Sequence, residues 1–97
     1  MTRLRKSLFM SVATVQVRFF ASVREAAGVG SCEVRLPEEA SLEDLLRLLR
    51  ERFPQLSDSL VGIGIALNRR YVSREGLGTQ LLREGDEVAL IPPISGG

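Results

Sequence analysis

Hydrophobic and polar residues alternate in two stretches of the first forty residues, and each stretch predicts a β-strand. The first strand covers residues 15–20, whose side chains divide into Val15, Val17 and Phe19 on the inner face and Gln16, Arg18 and Phe20 on the outer face. The inward residues of the second strand are Cys32, Val34 and Leu36, which alternate with Glu33 and Arg35. Pro37 ends this strand because it has no backbone N–H to donate to a neighbour.

A short helical turn is predicted between these two strands. Ser22 and Glu25 have the spacing of a capping box, in which the two side chains satisfy backbone N–H groups at the start of a helix. Gly28 suits the left-handed conformation that ends many helices. The turn is therefore expected over residues 22–27.

The longest periodic segment predicts the main helix. Apolar residues recur at the three- and four-residue intervals of one helical face, namely Leu42, Leu45, Leu46, Leu49 and Phe53. Ser41 and Asp44 together indicate an N-terminal cap, with the acid near the positive end of the helix dipole. Pro54 ends the helix at Phe53, since the residue before a proline avoids the helical conformation.

The C-terminal half predicts three more strands and completes the fold class. These are residues 62–67 with Ile63, Ile65 and Leu67 inward, a short return strand of Tyr71 and Val72 after the turn Asn68-Arg69-Arg70, and residues 87–91 with Val88 and Leu90 inward. The fold class is α+β, a roll in which one main helix packs on a mixed sheet of four or five strands. The last strand is expected beside the first and parallel to it. The helix is expected to dock on the sheet face that carries Val17, Phe19, Ile65, Val88 and Leu90.

The composition of the 97-residue chain indicates one domain and excludes several classes of function. Thirteen basic and twelve acidic side chains give a net charge of +1, which argues against a general nucleic-acid-binding protein. No apolar run approaches the roughly 18 residues of a membrane span. The chain has no His and a single cysteine, Cys32, so an intrachain disulfide, a Cys/His zinc site and a His-based triad are excluded. Cys32 is interpreted as a small core residue, with a thiol nucleophile as the alternative. The lack of disulfides predicts a reducing, cytoplasmic location.

Residues 1–13 precede the predicted domain and carry three basic residues but no acidic one. Polar residues interrupt their apolar stretch, which does not favour a secretory signal. The segment is interpreted as a disordered N-terminal extension, with Met10 as an alternative natural start. A targeting peptide is the second alternative.

The chain ends in a segment of unusual composition, Pro92-Pro93-Ile94-Ser95-Gly96-Gly97. The two prolines stop strand pairing and favour an extended conformation, so residues 92–97 are expected to form a flexible tail that reaches at most about 20 Å. Gly96 and Gly97 have no side chains, which would let the terminal carboxylate enter a narrow channel in another protein. The alternative is a frayed end without a function.

Three stretches of the sequence carry a resemblance to a known family. They are residues 19–28 (FFASVREAAG), residues 67–72 (LNRRYV) and residues 85–97 (GDEVALIPPISGG). In these stretches the chain resembles the ubiquitin-like β-grasp sulfur carriers, and most closely the small subunits of molybdopterin synthase. The resemblance implies a β-grasp domain over residues 14–91.

The resemblance implies that Gly97, preceded by Gly96, carries the chemistry. An E1-like enzyme would adenylate the Gly97 carboxylate with ATP, and sulfur delivery would then give a thiocarboxylate. The tail would enter the large subunit of the synthase and donate this sulfur to cyclic pyranopterin monophosphate. The chain would be a non-catalytic subunit, with no metal or permanently bound cofactor, in a heterotetramer of two small and two large subunits.

The same resemblance implies a partner-binding surface at the root of the tail. Phe20 and Ile91 are expected to lie together at the carboxyl ends of two parallel strands, on a face that Ala66 and Ala89 extend and that Arg18 and Arg24 border. The full set of expected partner-binding residues is Phe20, Arg24, Ile91, Pro92, Pro93, Ile94 and Ser95. The alternative is that Phe20 packs beneath residues 92–94 of its own chain.

Other functions remain open on sequence grounds. The chain could carry sulfur for thiamine synthesis or tRNA thiolation, or it could be a protein modifier conjugated through Gly97 to target lysines. Lys6 is its only lysine, which disfavours lysine-linked chains of this protein. A plain binding module that uses only its sheet face is the third alternative.

Overall fold

The computed structural model describes residues 11–93. The regular elements, in chain order, are β1 (Val12–Phe19), α1 (Ala21–Ala27), β2 (Ser31–Pro37), α2 (Leu42–Arg52), β3 (Gly64–Leu67), β4 (Arg70–Tyr71) and β5 (Glu87–Ile91), with short 3-10 turns at Pro54–Leu56 and Arg74–Gly76. The expectations for residues 1–10 and for Ile94, Ser95, Gly96 and Gly97 lie outside the described residues.

The five strands form one mixed sheet in the order β2-β1-β5-β3-β4. β1 and β5 lie side by side and are parallel, while the other neighbouring pairs are antiparallel. Because β1 and β5 run in the same direction, the end of β1 and the start of the tail lie at one end of the sheet. The predicted α+β roll, with the last strand parallel to the first, is confirmed.

Helix α2 closes one face of the sheet and forms the core with it. Its buried residues are Leu42, Leu45, Leu46 and Leu49, and those of the facing strands include Val17, Phe19, Ile65, Val88 and Leu90. Phe53, which follows the helix, is half-buried, and its ring meets that of Phe19 edge-on at a centroid distance of 5.6 Å. Edge-to-face contact is a favourable arrangement of two aromatic rings. The predicted core face of the helix is confirmed.

The start of α2 is capped as the sequence predicts. The Ser41 hydroxyl accepts from the Asp44 N–H at 3.2 Å, and the Asp44 carboxylate accepts from the Ser41 N–H at 2.9 Å. Two N–H groups that lack a helical partner are thereby satisfied. This cap fixes where the helix begins above the sheet.

The first helix starts differently from the prediction. It begins at Ala21, and Phe20 is the N-cap residue without a side-chain cap hydrogen bond, so the capping box of Ser22 and Glu25 is wrong. The Phe20 N–H donates to the Leu90 carbonyl at 3.2 Å, and Ala21 then takes a positive φ of 50°. This abrupt turn at the strand end leaves Ser22 already inside the helix.

Several strand boundaries also differ from the prediction. β1 begins at Val12, so residues 12 and 13 belong to the folded domain and not to the N-terminal extension. β3 begins at Gly64, since Gly62 has a φ of 74° that belongs to a turn. Arg70 lies in β4, which leaves a two-residue turn between β3 and β4.

Cys32, expected in the core, is half-buried because it lies on β2 at the edge of the sheet.

Candidate functional site

An open groove crosses the outer face of the sheet at the end where the tail begins. Its volume is about 350 Å³, and its lining residues are Arg18, Phe20, Ala66, Arg69, Tyr71, Glu87, Ala89 and Ile91. Strand register explains its shape, because Arg18, Ala89, Ala66 and Tyr71 are successive cross-strand partners. Two alanines in the middle of this row form a low floor, and long side chains at its two ends form the walls.

Phe20 and Ile91 form the end of the groove nearest the tail. Phe20 is 38% exposed, and its backbone N–H pairs with the Leu90 carbonyl, the residue before Ile91. Ile91 is half-buried and opposes Gly64 on β3. The prediction that these two residues line one surface with Ala66 and Ala89 is confirmed in its geometry, although Phe20 lies one residue beyond the strand.

Tyr71 forms the opposite wall and was not singled out by the sequence analysis. Its side chain is 72% exposed, and its ring covers Gly64, where an added Cβ would meet the ring Cε1 at 3.1 Å and the Ile91 carbonyl oxygen at 3.3 Å. A larger residue at Gly64 would therefore push the ring away. The available signal was one aromatic residue on a short edge strand opposite the small residues of β3.

Two of the charged residues at the rim form an ordered pair. An Arg18 Nη1 contacts the Glu87 Oε2 at 3.3 Å, and the Arg18 guanidinium lies 5.4 Å from the centre of the Phe20 ring. Surface ion pairs contribute little to stability, so the main effect of this pair is to orient Arg18 over the ring. The predicted bordering role of Arg18 agrees with this placement.

Arg24 does not line the groove. It lies on α1, beside a separate shallow depression that it shares with Ala21, Glu25 and Val29. Its guanidinium passes close to Gly30, where an added Cβ would lie 3.4 Å from the Arg24 Nε. The structure thus brings Phe20 and Ile91 together and leaves Arg24 on a neighbouring surface of the same end of the domain.

The first residues of the tail continue directly from the groove. Pro92 is half-buried and Pro93 is exposed. The chain thus leaves the domain next to Ile91, and the groove and the start of the tail form one continuous surface.

Cys32 lies on β2, away from the groove and close to Arg52 at the end of helix α2. Burial raises the pKa of its thiol, and the nearby Arg52 guanidinium only partly offsets this effect. The thiol is therefore protonated and poorly nucleophilic at neutral pH. Arg52 also donates a hydrogen bond to the Glu33 carbonyl at 3.1 Å. This bond connects the end of α2 to β2, so Arg52 has a structural role beside Cys32.

Neither a metal-binding cluster nor a membrane-spanning helix occurs within residues 11–93. Within this range no three His, Cys, Asp or Glu side chains lie close enough together to hold a metal ion. Neither of the helices in the same range has the length and apolar character needed to cross a bilayer.

Comparison with known proteins identifies related sequences over most of the chain. The model of the ThiS family matches residues 17–97. The molybdopterin synthase sulfur carrier subunit of Chlamydomonas reinhardtii is 40% identical over 83 residues, covering 86% of this chain and 98% of the relative. The human protein of the same name is 41% identical over 85 residues, covering 86% and 93%.

Solved structures agree with these sequence relatives. Small archaeal modifier protein 1 from Methanosarcina acetivorans superposes with a TM-score of 0.75 at 30% identity, over 90% of this chain and 99% of that one. A chain in the complex of subunits 1 and 2 of the molybdopterin-converting factor from Helicobacter pylori has a TM-score of 0.64 at 28% identity, over 87% of this chain and 99% of that one. The ubiquitin-like β-grasp fold expected from the sequence is confirmed.

Proposed function

The chain belongs to the ThiS family, and from its 40–41% identity to molybdopterin synthase sulfur carrier subunits we propose that it is such a subunit. The structural observation that supports the proposal is the continuity between the groove and the start of the tail. A recognition surface that begins beside the tail can align the reactive end with a partner's active site. The groove is apolar at its centre and charged at its rim, as protein interfaces commonly are.

The proposed chemistry takes place at the Gly97 carboxylate. One carboxylate oxygen attacks the α-phosphorus of ATP in an E1-like enzyme, and pyrophosphate leaves to give an acyl-adenylate. A donor then supplies sulfur at the oxidation level of sulfide, which attacks the acyl carbon and displaces AMP, and loss of the sulfur-bound proton gives the thiocarboxylate. Activation is needed because a carboxylate has no good leaving group. The two C-terminal glycines allow this group to pass through narrow active-site channels.

The second half of the cycle uses the large subunit. The tail enters its active site, where the thiocarboxylate sulfur attacks a carbon of cyclic pyranopterin monophosphate and displaces an oxygen substituent from that carbon. Water then cleaves the acyl C–S bond, which leaves the sulfur on the pterin and regenerates the Gly97 carboxylate. The Helicobacter pylori complex contains subunits 1 and 2 of a molybdopterin-converting factor, which supports a large-subunit partner for this chain. We further propose a heterotetramer of two small and two large subunits and a cytoplasmic location. The carrier itself needs no permanently bound cofactor, since ATP is consumed by the activating enzyme.

Similarity to small archaeal modifier protein 1 supports a second candidate function. In that function the activated Gly97 would be transferred to lysine side chains of other proteins. The two functions share the activation step and differ in the group that then attacks the activated acyl carbon, which is sulfur for the carrier and a lysine amine for the modifier. With Lys6 as its only lysine, this chain offers few acceptor sites for conjugation to itself.

Intact mass spectrometry after co-expression with the E1-like enzyme tests the proposal. A sulfur carrier should show one oxygen replaced by sulfur at the C-terminus, and deletion of Gly97 should remove this change without altering the thermal unfolding of the domain. Adding the large subunit and the pterin precursor should restore the carboxylate. Unmodified wild-type protein under these conditions would contradict the proposal, and adducts on target lysines would favour the modifier function.

A further inference from the structure

We propose that Arg69 strengthens the docking of the large subunit in the groove, by binding a carboxylate of that partner. This inference rests on the proposed function, because it assumes that the groove contacts the large subunit. The inference specifies which chemical groups the surface of the large subunit must present to the groove. The partner should place an acidic side chain beside the apolar groups that cover Phe20 and Tyr71.

The charges at the rim are the first argument. Arg18, Arg69 and Glu87 are the three charged residues that line the groove. Arg18 and Glu87 contact each other at 3.3 Å and largely cancel. In the described part of the chain Arg69 takes part in neither of the two ion pairs. The groove therefore presents one unmatched positive charge, which is complementary to a partner carboxylate.

The backbone at Arg69 is the second and independent argument. Asn68 and Arg69 form the two-residue turn between β3 and β4, with φ values of 50° and 74°. Positive φ at both residues is typical of a type I′ turn, which favours Asn at the first position and Gly at the second. Arginine at the second position is strained because its Cβ clashes in the left-handed conformation.

Hydrogen bonds to Glu87 stabilise Asn68 in its position in the turn. Its backbone N–H donates to the Glu87 carbonyl at 2.8 Å, and its side-chain oxygen accepts from the Glu87 N–H at 2.9 Å. No comparable side-chain hydrogen bond joins Arg69 to the described residues. Arg69 is strained, and its side chain makes no hydrogen bond or ion pair with the described residues. Such a residue at the edge of a recognition surface is consistent with a binding role.

The anchored turn also explains how Arg69 would be effective. Asn68 holds the turn against β5, and its side-chain NH₂ donates to Asp86 at 2.9 Å. The Arg69 backbone is thereby fixed beside the groove before a partner arrives, which lowers the ordering cost of binding. When a partner covers the groove, water is excluded and the guanidinium can form two parallel hydrogen bonds with a carboxylate.

Three variants of Arg69 test the inference, with the purified large subunit as the binding partner. Arg69→Gln removes the charge, Arg69→Gly removes the charge and the strain, and Arg69→Lys keeps the charge. Calorimetric titration should show affinity weakened roughly three- to tenfold by the first two changes and partly restored by lysine. Arg70→Gln is the matched control, since Arg70 is exposed, adjacent and outside the groove lining.

Thermal unfolding, measured beside affinity, separates a binding role of Arg69 from a structural role. Arg69→Gly should melt at or above the wild-type temperature, because glycine adopts a positive φ without a clash, while its affinity falls. The wild-type affinity should also decrease with added salt more steeply than that of Arg69→Gln. A lower melting temperature with unchanged affinity would make Arg69 a structural residue and overturn the inference.

Phe20→Ala separates a failure of this inference from a failure of the proposed function. If Phe20→Ala weakens binding but Arg69→Gln and Arg69→Gly bind like the wild type, the carboxylate contact is wrong and the groove remains the interface. If the wild-type chain does not bind the large subunit at all, the proposed function is wrong and the inference is overturned with it.

Discussion

Phe19 and Phe20 are consecutive residues of the same type, but their surroundings differ completely. Phe19 is 2% exposed and packs against Phe53 beneath the helix-covered face of the sheet. Phe20 is 38% exposed and lies at the groove, with Arg18 over its ring. Phe19 is thus buried in the core, whereas the neighbouring Phe20 is partly exposed and available to contact another protein.

The same difference holds for the two faces of the sheet as a whole. Helix α2 covers the inner face, which is filled with large apolar side chains. The outer face has small residues at its centre and long side chains at its edges, and no element of residues 11–93 covers the groove. Burial stabilises the fold in proportion to the apolar area removed from water. Substitutions on the inner face should therefore change stability, and those on the outer face should change binding.

Replacing Phe19 with alanine should have the largest effect on the inner face. Loss of a buried aromatic side chain leaves a cavity and costs about 3 to 5 kcal/mol of the free energy of unfolding. Domains of this kind have only about 5 to 15 kcal/mol in total. Urea denaturation followed by circular dichroism measures this loss, and the folded fraction should still bind the large subunit with wild-type affinity.

Phe19→Leu keeps this prediction testable if the alanine variant does not fold. Leucine fills part of the space, so the loss should be smaller but have the same sign. Leu81→Ala is a control for truncation as such, because Leu81 is 43% exposed. Equal losses for Phe19→Ala and Leu81→Ala would show that burial on the inner face does not determine stability as described.

Replacing Phe20 with alanine should have the opposite outcome. The free energy of unfolding should change by no more than about 0.5 kcal/mol, as for most surface substitutions. Affinity for the large subunit should fall at least about tenfold, which corresponds to about 1.4 kcal/mol. Ile91→Asp should act in the same direction, because it places a carboxylate in the apolar end of the groove.

Calorimetric titration of the two purified subunits measures this second effect. Leu90→Ala is the matched control for Ile91, since the two residues are adjacent on β5 and face opposite sides. It should lower stability and leave the affinity of folded molecules unchanged. Wild-type affinity in both outer-face variants would assign Phe20 to packing within its own chain.

A smaller effect is expected at the start of the helix that covers the inner face. Ser41→Ala removes a hydroxyl that accepts from the Asp44 N–H and should cost about 1 kcal/mol of stability. The groove lies on the other side of the sheet, so binding should not change. Denaturation midpoints of Ser41→Ala and Ser41→Thr distinguish the cap from mere loss of volume, because threonine keeps the hydroxyl. Equal midpoints for the alanine variant and the wild type would show that the cap is energetically unimportant.

The inner face could be predicted from the sequence because its signals are periodic. A buried helix face is indicated by leucines at helical spacing, and a buried strand face is indicated by alternating apolar residues in β1 and β5. Both patterns arise because the residues on the buried face must be apolar. The capping box at Ser41 and Asp44 was also predicted, since its two residues lie within one turn.

The groove was only partly predictable because it depends on strand register. Phe20 and Ile91 were expected together once β1 and β5 were taken as parallel neighbours. The hairpin of β3 and β4 was predicted, but with a three-residue turn, so the register that brings Tyr71 and Arg69 to the groove was missed. No periodic pattern in so short a strand fixes this register. Arg24 was expected at the rim, but the abrupt turn at Ala21 directs α1, and with it Arg24, to another surface.

The smallest expected effect is a dependence of the helix cap on pH. The Ser41 N–H stabilises the Asp44 carboxylate and lowers its pKa below the ordinary value of 3.8, with a further contribution from Arg47. The folded protein thus binds a proton at Asp44 less readily than the unfolded chain does. The stabilisation is therefore fully present above pH 3.8 and is lost as the pH falls through the lower pKa of the folded state.

Asp44→Asn should be less stable than the wild type at neutral pH, and the difference should shrink below pH 3.8. Urea midpoints measured across this range test the prediction, with Asp58→Asn as the control for loss of one exposed carboxylate. A constant difference between the wild type and Asp44→Asn at every pH would show that the charge of Asp44 does not support the cap.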